Sequence, residues 1–510
     1  MERRAFFKLI GAGAVIAAGG AMTACSSSGG LASPLAPAPS TDEGPCVADD
    51  PEVSFSSEAD VLVVGSGIAG LSAAMAPLEA HRSVMIVDKL ELLGGESYSA
   101  TGVMYVSGSA LQKRAGIATT TEQAWDARKQ AYADAGIVDL DFAKRLFTTA
   151  PEWVDHLVDD YGAQFEDPSD YVKAGASEGM LLPKRGLGDM ESVMTPLRDG
   201  LSAKGASFST GLVASAFVVD ESGAVCGVRF RDAKSNAVTD VSARVVVVAT
   251  GGFASSQPLV HANVPSQERI GCYTTASMGE GQLLCVHLGG QLADMNKPAP
   301  LTSDLPQAAA WGLFGPVLIV DALGRRFARE DDMNAAADAC VADDRGYWWT
   351  VFGKGLSSGA QARSIAQVTT KNAKRMVGPF DDVEALAGGL GLPADALKAT
   401  FDGYGALVDA GKDADFGRTA FLQKIEPPYY ALKQFPVRYK TRGGVRTDAE
   451  GRLLNAAGSA IANVYACGSV AAGSVEGLAT NGAFGLIVGR AVAKALDERD
   501  DKKTQAATPS

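Results

Sequence analysis

The sequence predicts an α/β fold that opens with a mostly parallel sheet and a glycine-rich turn at the end of its first strand. A short apolar strand, Asp60 to Val64, runs directly into Gly65-Ser-Gly67-Ile-Ala-Gly70, and a helix-forming stretch follows. A second apolar run, Ser83 to Val87, ends at Asp88. Strand, glycine turn, helix, strand and acidic residue within about 30 residues form the pattern of a Rossmann-like dinucleotide-binding unit.

The composition is that of a large globular protein. The chain has 510 residues, of which 46% are hydrophobic and 21% charged, so it can bury a sizeable core. Its net charge of −13 argues against nucleic acid as a partner, because such binding needs clustered Lys and Arg. The same charge gives no support for docking on anionic lipid.

The N-terminal residues predict an export signal rather than part of the fold. Arg3-Arg4 precede an apolar run of small residues from Leu9 to Ala24, which is typical of a twin-arginine signal peptide over 1–24. Cys25 follows a stretch that resembles a lipoprotein cleavage box, so its lipidation stays open and is the one membrane contact we expect. Residues 25–57, rich in Ser, Pro, Gly and Ala, predict a disordered tether. The expected location is the periplasm or the cell surface.

Each residue type of the glycine turn has a physical reason. Gly65 permits the tight turn, Gly67 lets the backbone approach a pyrophosphate, and Gly70 lets the helix pack against the strand. The helix N-terminus then offers free N–H groups to phosphate oxygens. Asp88 stands where a carboxylate can accept ribose hydroxyls. The unit therefore predicts a bound dinucleotide.

Later glycine-rich segments indicate that this dinucleotide is FAD. Leu93-Gly-Gly-Glu-Ser97 follows Asp88 closely, and the strand from Arg244 ends in Ala249-Thr-Gly-Gly-Phe253. A third strand from Val464 runs into Gly468, and a glycine-rich helix start follows near Thr480. An NAD domain does not need these segments, whereas an extended FAD does. The predicted cofactor-binding residues are Gly65, Gly67, Ile68, Ala69, Gly70, Asp88, Lys89, Gly94, Gly95, Glu96, Ser97, Thr101, Gly102, Val213, Ala249, Thr250, Gly251, Gly468, Asn481 and Gly482.

We expect no haem, iron–sulfur cluster or metal centre. None of the seven cysteines forms C-x-x-C or C-x-x-C-H, and the four histidines show no zinc-site spacing.

Several motifs in one order resemble the FAD-dependent fumarate reductases and 3-ketosteroid Δ1-dehydrogenases. They include Ala249-Thr-Gly-Gly-Phe253, Gly324-Arg-Arg-Phe-Ala-Arg-Glu330 and Gly443-Gly-Val-Arg-Thr-Asp448, and the resemblance runs from about Asp60 to Leu496. It implies a Rossmann-like FAD-binding domain interrupted by a smaller α+β capping domain. The implied boundaries are 58–295 and 442–497 for the FAD-binding domain, 296–441 for the cap and 498–510 for a tail.

The resemblance implies hydride exchange between a flavin and a carbon–carbon bond beside a carbonyl or carboxylate. In the fumarate-reductase-like members a cap arginine delivers the proton, and Asn334 stands at that position here. A second arginine and a histidine clamp substrate carboxylate there, and Thr480 and Lys440 stand nearest those places. The dehydrogenases' catalytic tyrosine would fall on Thr480 and their oxyanion glycine on Phe484. Neither set of catalytic residues is complete, and a small dicarboxylate substrate is disfavoured.

The candidate catalytic residues are therefore Lys440, Tyr439, Arg442 and Asn334. Lys440 and Tyr439 are the first candidates for acid or oxyanion donor. Arg442 also has a structural interpretation, as do Trp311 and Phe314, which can equally be packing in the cap. Tyr98 and Tyr105 follow the Gly94-Gly95 loop and are expected near the pocket.

Taken together, the residues and the resemblance predict an exported FAD-dependent oxidoreductase acting on CH–CH groups. It would reduce a C=C bond conjugated to a carbonyl or carboxylate in a substrate larger than fumarate: an enone, an enoate or a steroid-like molecule. Its electrons would come from a separate partner, a cytochrome or a quinol-linked protein. Two alternatives stay open, a 3-ketosteroid-type dehydrogenase acting in the opposite direction and a non-catalytic flavin-binding electron carrier.

Overall fold

A computed structural model describes residues 46–47, 53–134, 136–137, 139–356, 360–473 and 477–507. The predicted signal peptide, Cys25 and most of the predicted tether lie outside the described residues.

The described residues form twenty strands. In chain order they are β1 (Cys46–Val47), β2 (Phe55–Val64), β3 (Val84–Val87), β4 (Met104–Tyr105), β5 (Met180–Leu181), β6 (Ser207–Ser209), β7 (Leu212–Val219), β8 (Val225–Asp232), β9 (Val238–Val248), β10 (Gly271–Cys272), β11 (Leu292–Ala293), β12 (Thr302–Ser303), β13 (Val317–Val320), β14 (Trp348–Phe352), β15 (Met376–Phe380), β16 (Tyr429–Gln434), β17 (Pro436–Arg438), β18 (Gly444–Val445), β19 (Arg452–Leu454) and β20 (Ala460–Ala466).

Fifteen α-helices lie between these strands in the described residues. They are α1 (Ile68–Glu79), α2 (Gly95–Tyr98), α3 (Ala110–Arg114), α4 (Thr121–Asp134), α5 (Leu140–Asp159), α6 (Pro168–Lys173), α7 (Glu191–Ala203), α8 (Gln257–Asn263), α9 (Glu280–His287), α10 (Pro306–Ala309), α11 (Ala335–Ala342), α12 (Ala360–Lys371), α13 (Val383–Leu390), α14 (Ala394–Asp409) and α15 (Leu478–Ala507). None of these described helices is both long enough and apolar enough to cross a membrane.

A nine-stranded sheet organises the FAD-binding half of the chain. Seven strands run in the order β1-β7-β8-β9-β2-β3-β6. In addition, β20 pairs with the C-terminal part of β9, and β19 pairs with β20. β2, β3, β9 and β20 are mutually parallel where they pair, whereas β7, β8 and β9 form an antiparallel meander. The valines of β2 and the run from Val245 to Val248 in β9 are buried on both faces, as expected for a central parallel sheet.

Helices α1 and α15 pack closely against each other because α15 has glycines at the contact. A Cβ at Gly485 would lie 2.2 Å from the carbonyl oxygen of Ala69, and one at Gly489 would lie 2.5 Å from that of Ala73. Trp153 of α5 packs beside these two helices, and its indole N–H donates to the Ser72 hydroxyl of α1 at 2.8 Å.

A separate antiparallel sheet, in the order β13-β14-β16-β15, lies within the range predicted for the cap. Trp311 and Phe314 are buried beneath it, at 0% and 6% exposure, so they pack the cap core. Arg326 is held by Glu330 and Asp413 within the same region. Helices α13 and α14 lie in the same range.

The structure differs from the sequence expectation at both ends of the FAD-binding domain. β1 and the first residues of β2 lie in the range predicted as a disordered tether, because Cys46 pairs alongside Val218 and Phe55 alongside Asp240. At the other end, α15 continues to Ala507, through most of the range predicted as a tail. Arg82 and Arg244 hold this extension, since both form ion pairs with Asp500.

Candidate active site

The carboxyl ends of β2, β3, β9 and β20 meet at one cavity. The loops that leave them contribute Gly65 and Gly67, Asp88 to Leu90, Ala249 to Gly251, and Cys467 to Ser469 to its wall. The cavity volume is about 340 Å³. Ligands of open α/β sheets bind in this position, beyond the carboxyl ends of parallel strands.

The three glycines of the turn have different surroundings. A Cβ at Gly65, whose φ is +109°, would lie 2.4 Å from the Ala249 carbonyl oxygen, and one at Gly70 would lie 2.0 Å from that of Gly65. These two glycines therefore permit backbone packing. A Cβ at Gly67 would meet only the Ser97 hydroxyl, at 3.6 Å, because Gly67 faces the cavity. Gly67 keeps this wall open for a ligand at the N-terminus of α1.

Asp88 lines the cavity and also fixes the glycine turn. Its carboxylate accepts hydrogen bonds from the Ser66 N–H at 2.8 Å, the Ser66 hydroxyl at 2.5 Å and the Leu90 N–H at 2.8 Å. The residue predicted to bind ribose is thus already oriented by the loop beside it.

Glu96 is a partly buried carboxyl group in the same wall. It accepts hydrogen bonds from the hydroxyls of Thr274 and Ser277, and Lys89 lies close enough to interact with its charge. Burial raises the pKa of Glu96, and the two hydroxyls and Lys89 counteract only part of that effect. Lys89 itself forms an ion pair with Glu280 and donates to the Ala276 carbonyl oxygen at 2.5 Å.

Three buried polar atoms in the wall show that the site fits a polar ligand. The hydroxyl oxygens of Thr250 and Thr302 and the amide oxygen of Asn481 have no hydrogen-bond partner among the described residues. All three residues line the cavity. Unpaired buried polar groups cost free energy, which a bound ligand with polar ring and ribityl groups would recover. Together with Gly67 and the α1 N-terminus, these residues could hold an extended flavin dinucleotide.

Most predicted cofactor-binding residues line the cavity. They are Gly65, Gly67, Ile68, Ala69, Asp88, Lys89, Gly95, Glu96, Ser97, Thr101, Val213, Ala249, Thr250, Gly251, Gly468 and Asn481.

Four predicted positions lie outside the wall and pack protein against protein. Gly70 has no side chain and so leaves room for the carbonyl oxygen of Gly65. A Cβ at Gly102 would lie 2.8 Å from the Pro183 ring, and one at Gly482 would lie 2.2 Å from the Trp153 ring. Gly94 is the left-handed residue before α2, and its N–H donates to the Ser66 hydroxyl at 2.9 Å.

The cap side of the cavity brings three of the four candidate catalytic residues together. Asn334 precedes α11, and its amide oxygen accepts a hydrogen bond from the Tyr439 hydroxyl at 3.2 Å. The Lys440 ammonium lies 4.7 Å from the centre of the Tyr439 ring. The backbone on both sides is anchored, since the Arg438 carbonyl accepts from Tyr273 and the Thr441 hydroxyl accepts from the Phe253 N–H.

Arg442 and Thr480 do not line the cavity. Arg442 is only partly exposed and, although it lies two residues past Lys440, it is not among the residues of this wall. The Thr480 hydroxyl turns back to donate to the Gly477 carbonyl at 3.2 Å, so Gly477, Leu478 and Asn481 line the cavity in its place.

Sequence reasoning missed part of the wall. Tyr273 and Asp332 line the cavity with Tyr105, whereas Tyr98 packs against the hydrophobic core instead. Asp332 could have been found, because it lies in the same short segment as Asn334. Tyr273 carries no comparable signal, since its position depends on the pairing of β10 with β17.

One cluster of potential metal ligands occurs outside the cavity wall. Glu79, His156 and Asp160 place one ligand atom each within 4.8 Å of one another at the surface. The Arg490 guanidinium lies 3.3 Å from the His156 ring nitrogen Nε2, and this charge disfavours a cation there.

A family model, described as an FAD binding domain, matches residues 60–486 of the chain. The chain belongs to this family. FAD is therefore its cofactor, as the glycine-rich segments predict.

Known relatives confirm the resemblance seen in the sequence. A probable fumarate reductase of Shewanella frigidimarina is 26% identical over 461 residues, covering 86% of this chain and 75% of that protein. The 3-oxosteroid 1-dehydrogenase of Mycobacterium tuberculosis is 25% identical over 541 residues, covering 81% of this chain and 93% of that protein. Among solved structures, the open conformation of a flavocytochrome c3 fumarate reductase has a TM-score of 0.65 at 24% identity. The match covers 86% of this chain and 79% of the chain of that fumarate reductase.

These matches confirm the α/β fold and identify the chain as an FAD-dependent oxidoreductase acting on CH–CH groups. Enzymes with both kinds of substrate match at nearly equal identity, so similarity alone does not choose between a small dicarboxylate and a steroid.

Proposed function

We propose that this enzyme reduces a C=C bond conjugated to a carbonyl or carboxylate, in a substrate larger and less anionic than fumarate. The observation that carries this proposal is the charge of the cap-side wall. Lys440 lies there with neutral Asn334 and three tyrosines, Tyr105, Tyr273 and Tyr439.

Fumarate carries two carboxylates, and this wall offers poor compensation for them. The cationic side chains among the described wall residues are Lys89 and Lys440, and Lys89 is already paired with Glu280. Asp332 adds a negative charge on the cap side. A carboxylate held beside neutral groups in a closed cavity costs several kcal/mol. A flat enone or aryl-enoate suits a wall of tyrosine rings and hydroxyls better.

The chain's own residues would orient the substrate and stabilise the charge that develops on its oxygen. When bound, FAD supplies the hydride and its two electrons. Lys440 lies beside Tyr439 at the return from the cap, where its ammonium can donate to a carbonyl oxygen. The Tyr439 hydroxyl can do the same only by giving up its hydrogen bond to Asn334. Asn334 orients the Tyr439 hydroxyl and cannot act as a cationic acid.

The test is a substrate panel with the purified holoprotein. The flavin is photoreduced without oxygen, enones, aryl-enoates or fumarate are added, and reoxidation is followed by absorbance. Dithionite-reduced viologen then serves as donor for turnover. We expect stoichiometric reoxidation by an enone or aryl-enoate and slow reoxidation by fumarate. Rapid fumarate reduction would contradict the proposed substrate class.

The opposite direction is the second candidate function. Similarity to a 3-oxosteroid 1-dehydrogenase and the hydroxyl-rich wall favour it. It is tested with saturated ketones and an artificial electron acceptor. Flavin reduction by a saturated ketone, with no reoxidation by the matching enone, would support dehydrogenation.

We also propose that the electrons come from a separate cytochrome or quinol-linked protein, and that the enzyme works outside the cytoplasm. The cysteine spacing supports the first point, because the sequence has no C-x-x-C-H or iron–sulfur motif of its own. The paired Arg3 and Arg4 before an apolar run support the second. Whether Cys25 carries a lipid is tested by mass spectrometry of the exported protein.

A further inference from the structure

Tyr105 presents a phenol to the cavity that no other described group uses. It ends β4, which pairs with β5 so that Tyr105 lies opposite Met180. Its side chain lines the cavity with Asn334, Tyr439 and Lys440. Its hydroxyl makes no hydrogen bond with any described residue, whereas the Tyr439 hydroxyl is engaged by Asn334. The Tyr105 hydroxyl is therefore available to a ligand.

A guanidinium lies behind this phenol. Arg128, in α4, has its Cζ atom 4.0 Å from the centre of the Tyr105 ring. Arg128 is half-buried and has no carboxylate partner among the described residues. A cation over the face of a phenol is attracted to the ring, and the attraction grows when the ring carries a negative charge. Arg128 is thus placed to stabilise the phenolate that remains after proton loss.

Four charged or titratable groups act on Tyr105 from the surrounding elements. Burial raises the pKa of Tyr105 and is the largest effect, while Arg128 opposes it. Asp332 and Tyr439 raise the pKa further and Lys440 lowers it. Because the net shift is upward, the phenol stays neutral through the physiological range and keeps a proton to give.

We propose that Tyr105 is the proton donor of the reduction and that Arg128 is its positioning residue. This inference rests on the proposed function. It goes beyond it by assigning the proton donor, a role that Asn334, at the position of the cap arginine, cannot take. The Tyr105 O–H bond breaks and its proton forms a C–H bond at the carbon next to the carbonyl. The π bond breaks as the hydride supplied by the reduced cofactor adds to the other carbon. The substrate gains two electrons, the cofactor loses two, and solvent reprotonates the phenolate.

The other cap-side residues are less suited to this step. An amide such as Asn334 has no proton to give in turnover. The Tyr439 hydroxyl already donates to Asn334, and Lys440 lies over the Tyr439 ring. That arrangement suits Lys440 for the substrate oxygen and leaves the carbon to Tyr105.

The first experiment compares Tyr105→Phe with Tyr98→Phe. Both changes remove one phenolic oxygen from the same segment, but Tyr98 packs against the core and lies outside the cavity wall. With the best substrate from the panel, we expect Tyr105→Phe to slow flavin reoxidation about 10²- to 10⁴-fold, the range for loss of a general acid. FAD content should stay at one per chain in both variants, and Tyr98→Phe should keep the wild-type rate.

The second experiment changes Arg128 to Met and to Lys. Arg128→Met should slow reoxidation and enlarge its solvent deuterium isotope effect, because proton transfer becomes the slower step. Arg128→Lys, which keeps a cation, should restore most of the rate. A readout independent of turnover is the tyrosinate absorbance of oxidised holoprotein, wild type minus Tyr105→Phe. This difference should titrate at higher pH when Arg128 is Met.

The outcomes separate this inference from the proposed function. If wild type reduces the substrate and Tyr105→Phe reduces it within about threefold of the same rate, Tyr105 is not the donor and the function stands. If wild type neither reduces the panel nor oxidises its saturated partners, the function fails and the role of Tyr105 fails with it. An unchanged isotope effect and titration in Arg128→Met would remove Arg128 from the proposal alone.

Discussion

At the scale of single residues, the glycine turn combines two functions that a substitution can separate. A side chain at Gly70 would collide with the Gly65 backbone, whereas one at Gly67 would enter the cavity and meet little protein. Gly67 also has an ordinary backbone conformation, with φ −63° and ψ 174°, which any residue adopts. One glycine therefore maintains the fold and the other maintains the space for the cofactor.

We predict that Gly67→Leu yields folded protein without FAD, and that Gly70→Leu yields little folded protein. The leucine at 67 would occupy the place of the pyrophosphate, while the one at 70 would push α1 off the sheet. FAD in the supernatant after acid precipitation and circular dichroism of the same samples measure the two effects. A Gly67→Leu protein with one FAD per chain would contradict this assignment.

Lys440→Met is predicted to lower turnover about a hundredfold, the scale of losing one oxyanion donor, with FAD still bound. Methionine keeps much of the apolar stem that packs by Tyr439 and removes the charge. Lys412→Met is the matched control, because Lys412 is an exposed lysine in the cap range that lies outside the cavity wall. Unchanged turnover in Lys440→Met would move the oxyanion role to Tyr439.

Residues within one motif could be predicted from the sequence, and residues brought together by tertiary packing could not. Gly65, Gly67 and Asp88 lie in one strand–turn–helix unit whose geometry is local. The contact of Arg128 with Tyr105 depends on how α4 docks against β4, and the spacing of these residues in the chain carries no signal of it. Arg442 lies two residues past Lys440 in the chain and yet does not line the cavity.

At the scale of elements, the contact between α1 and α15 depends on missing side chains. Gly485 and Gly489 let the two helix backbones come close enough that a Cβ would touch carbonyl oxygens. Because α1 begins at the phosphate side of the cavity and α15 carries Asn481, this packing also fixes the distance between two ends of the site. The sequence predicts both helices, but their contact follows only from the three-dimensional packing.

We predict that Gly485→Ala lowers the free energy of unfolding of the holoprotein by about 1–3 kcal/mol, the cost of overpacking a close contact. Gly403→Ala is the matched control. Gly403 lies inside α14, and a Cβ there would meet nothing within 4 Å. Alanine should raise the stability at that position by about 0.5–1 kcal/mol, because glycine is the poorer helix former. Urea unfolding of the two variants measures both changes, and equal effects of one sign would contradict the packing argument.

At the scale of the whole molecule, the sequence predicts the FAD-binding architecture well and its edges poorly. The central strands are buried on both faces, so their apolar runs are easy to recognise. Phe55 is exposed, and the residues that follow it in β2 are exposed and polar. Only their pairing with β9 makes this segment a strand. The last turns of α15 are likewise polar, and ion pairs of Asp500 hold them to the sheet.

We predict that replacing Arg3 and Arg4 by Lys leaves the precursor in the cytoplasm. The twin-arginine route requires the arginine pair and carries folded, cofactor-loaded proteins. Cell fractionation with an FAD assay of each fraction measures the outcome. The control changes Lys8 to Arg, which keeps the charge of the signal and leaves the pair intact. Normal export of the Lys-Lys form would contradict the twin-arginine assignment.

The convergence of distant strands on one cavity also sets when the cofactor can be enclosed. The wall joins Gly67, near the start of the domain, to Asn481, roughly four hundred residues later. At ribosomal speeds of about 5–20 residues per second, the first part of the site waits tens of seconds for the last. During that time the α1 N-terminus has neither its β20 neighbour nor α15. Tight retention of FAD must therefore wait until α15 has been synthesised. A protein truncated after Gly468 would be synthesised normally but would not hold its flavin.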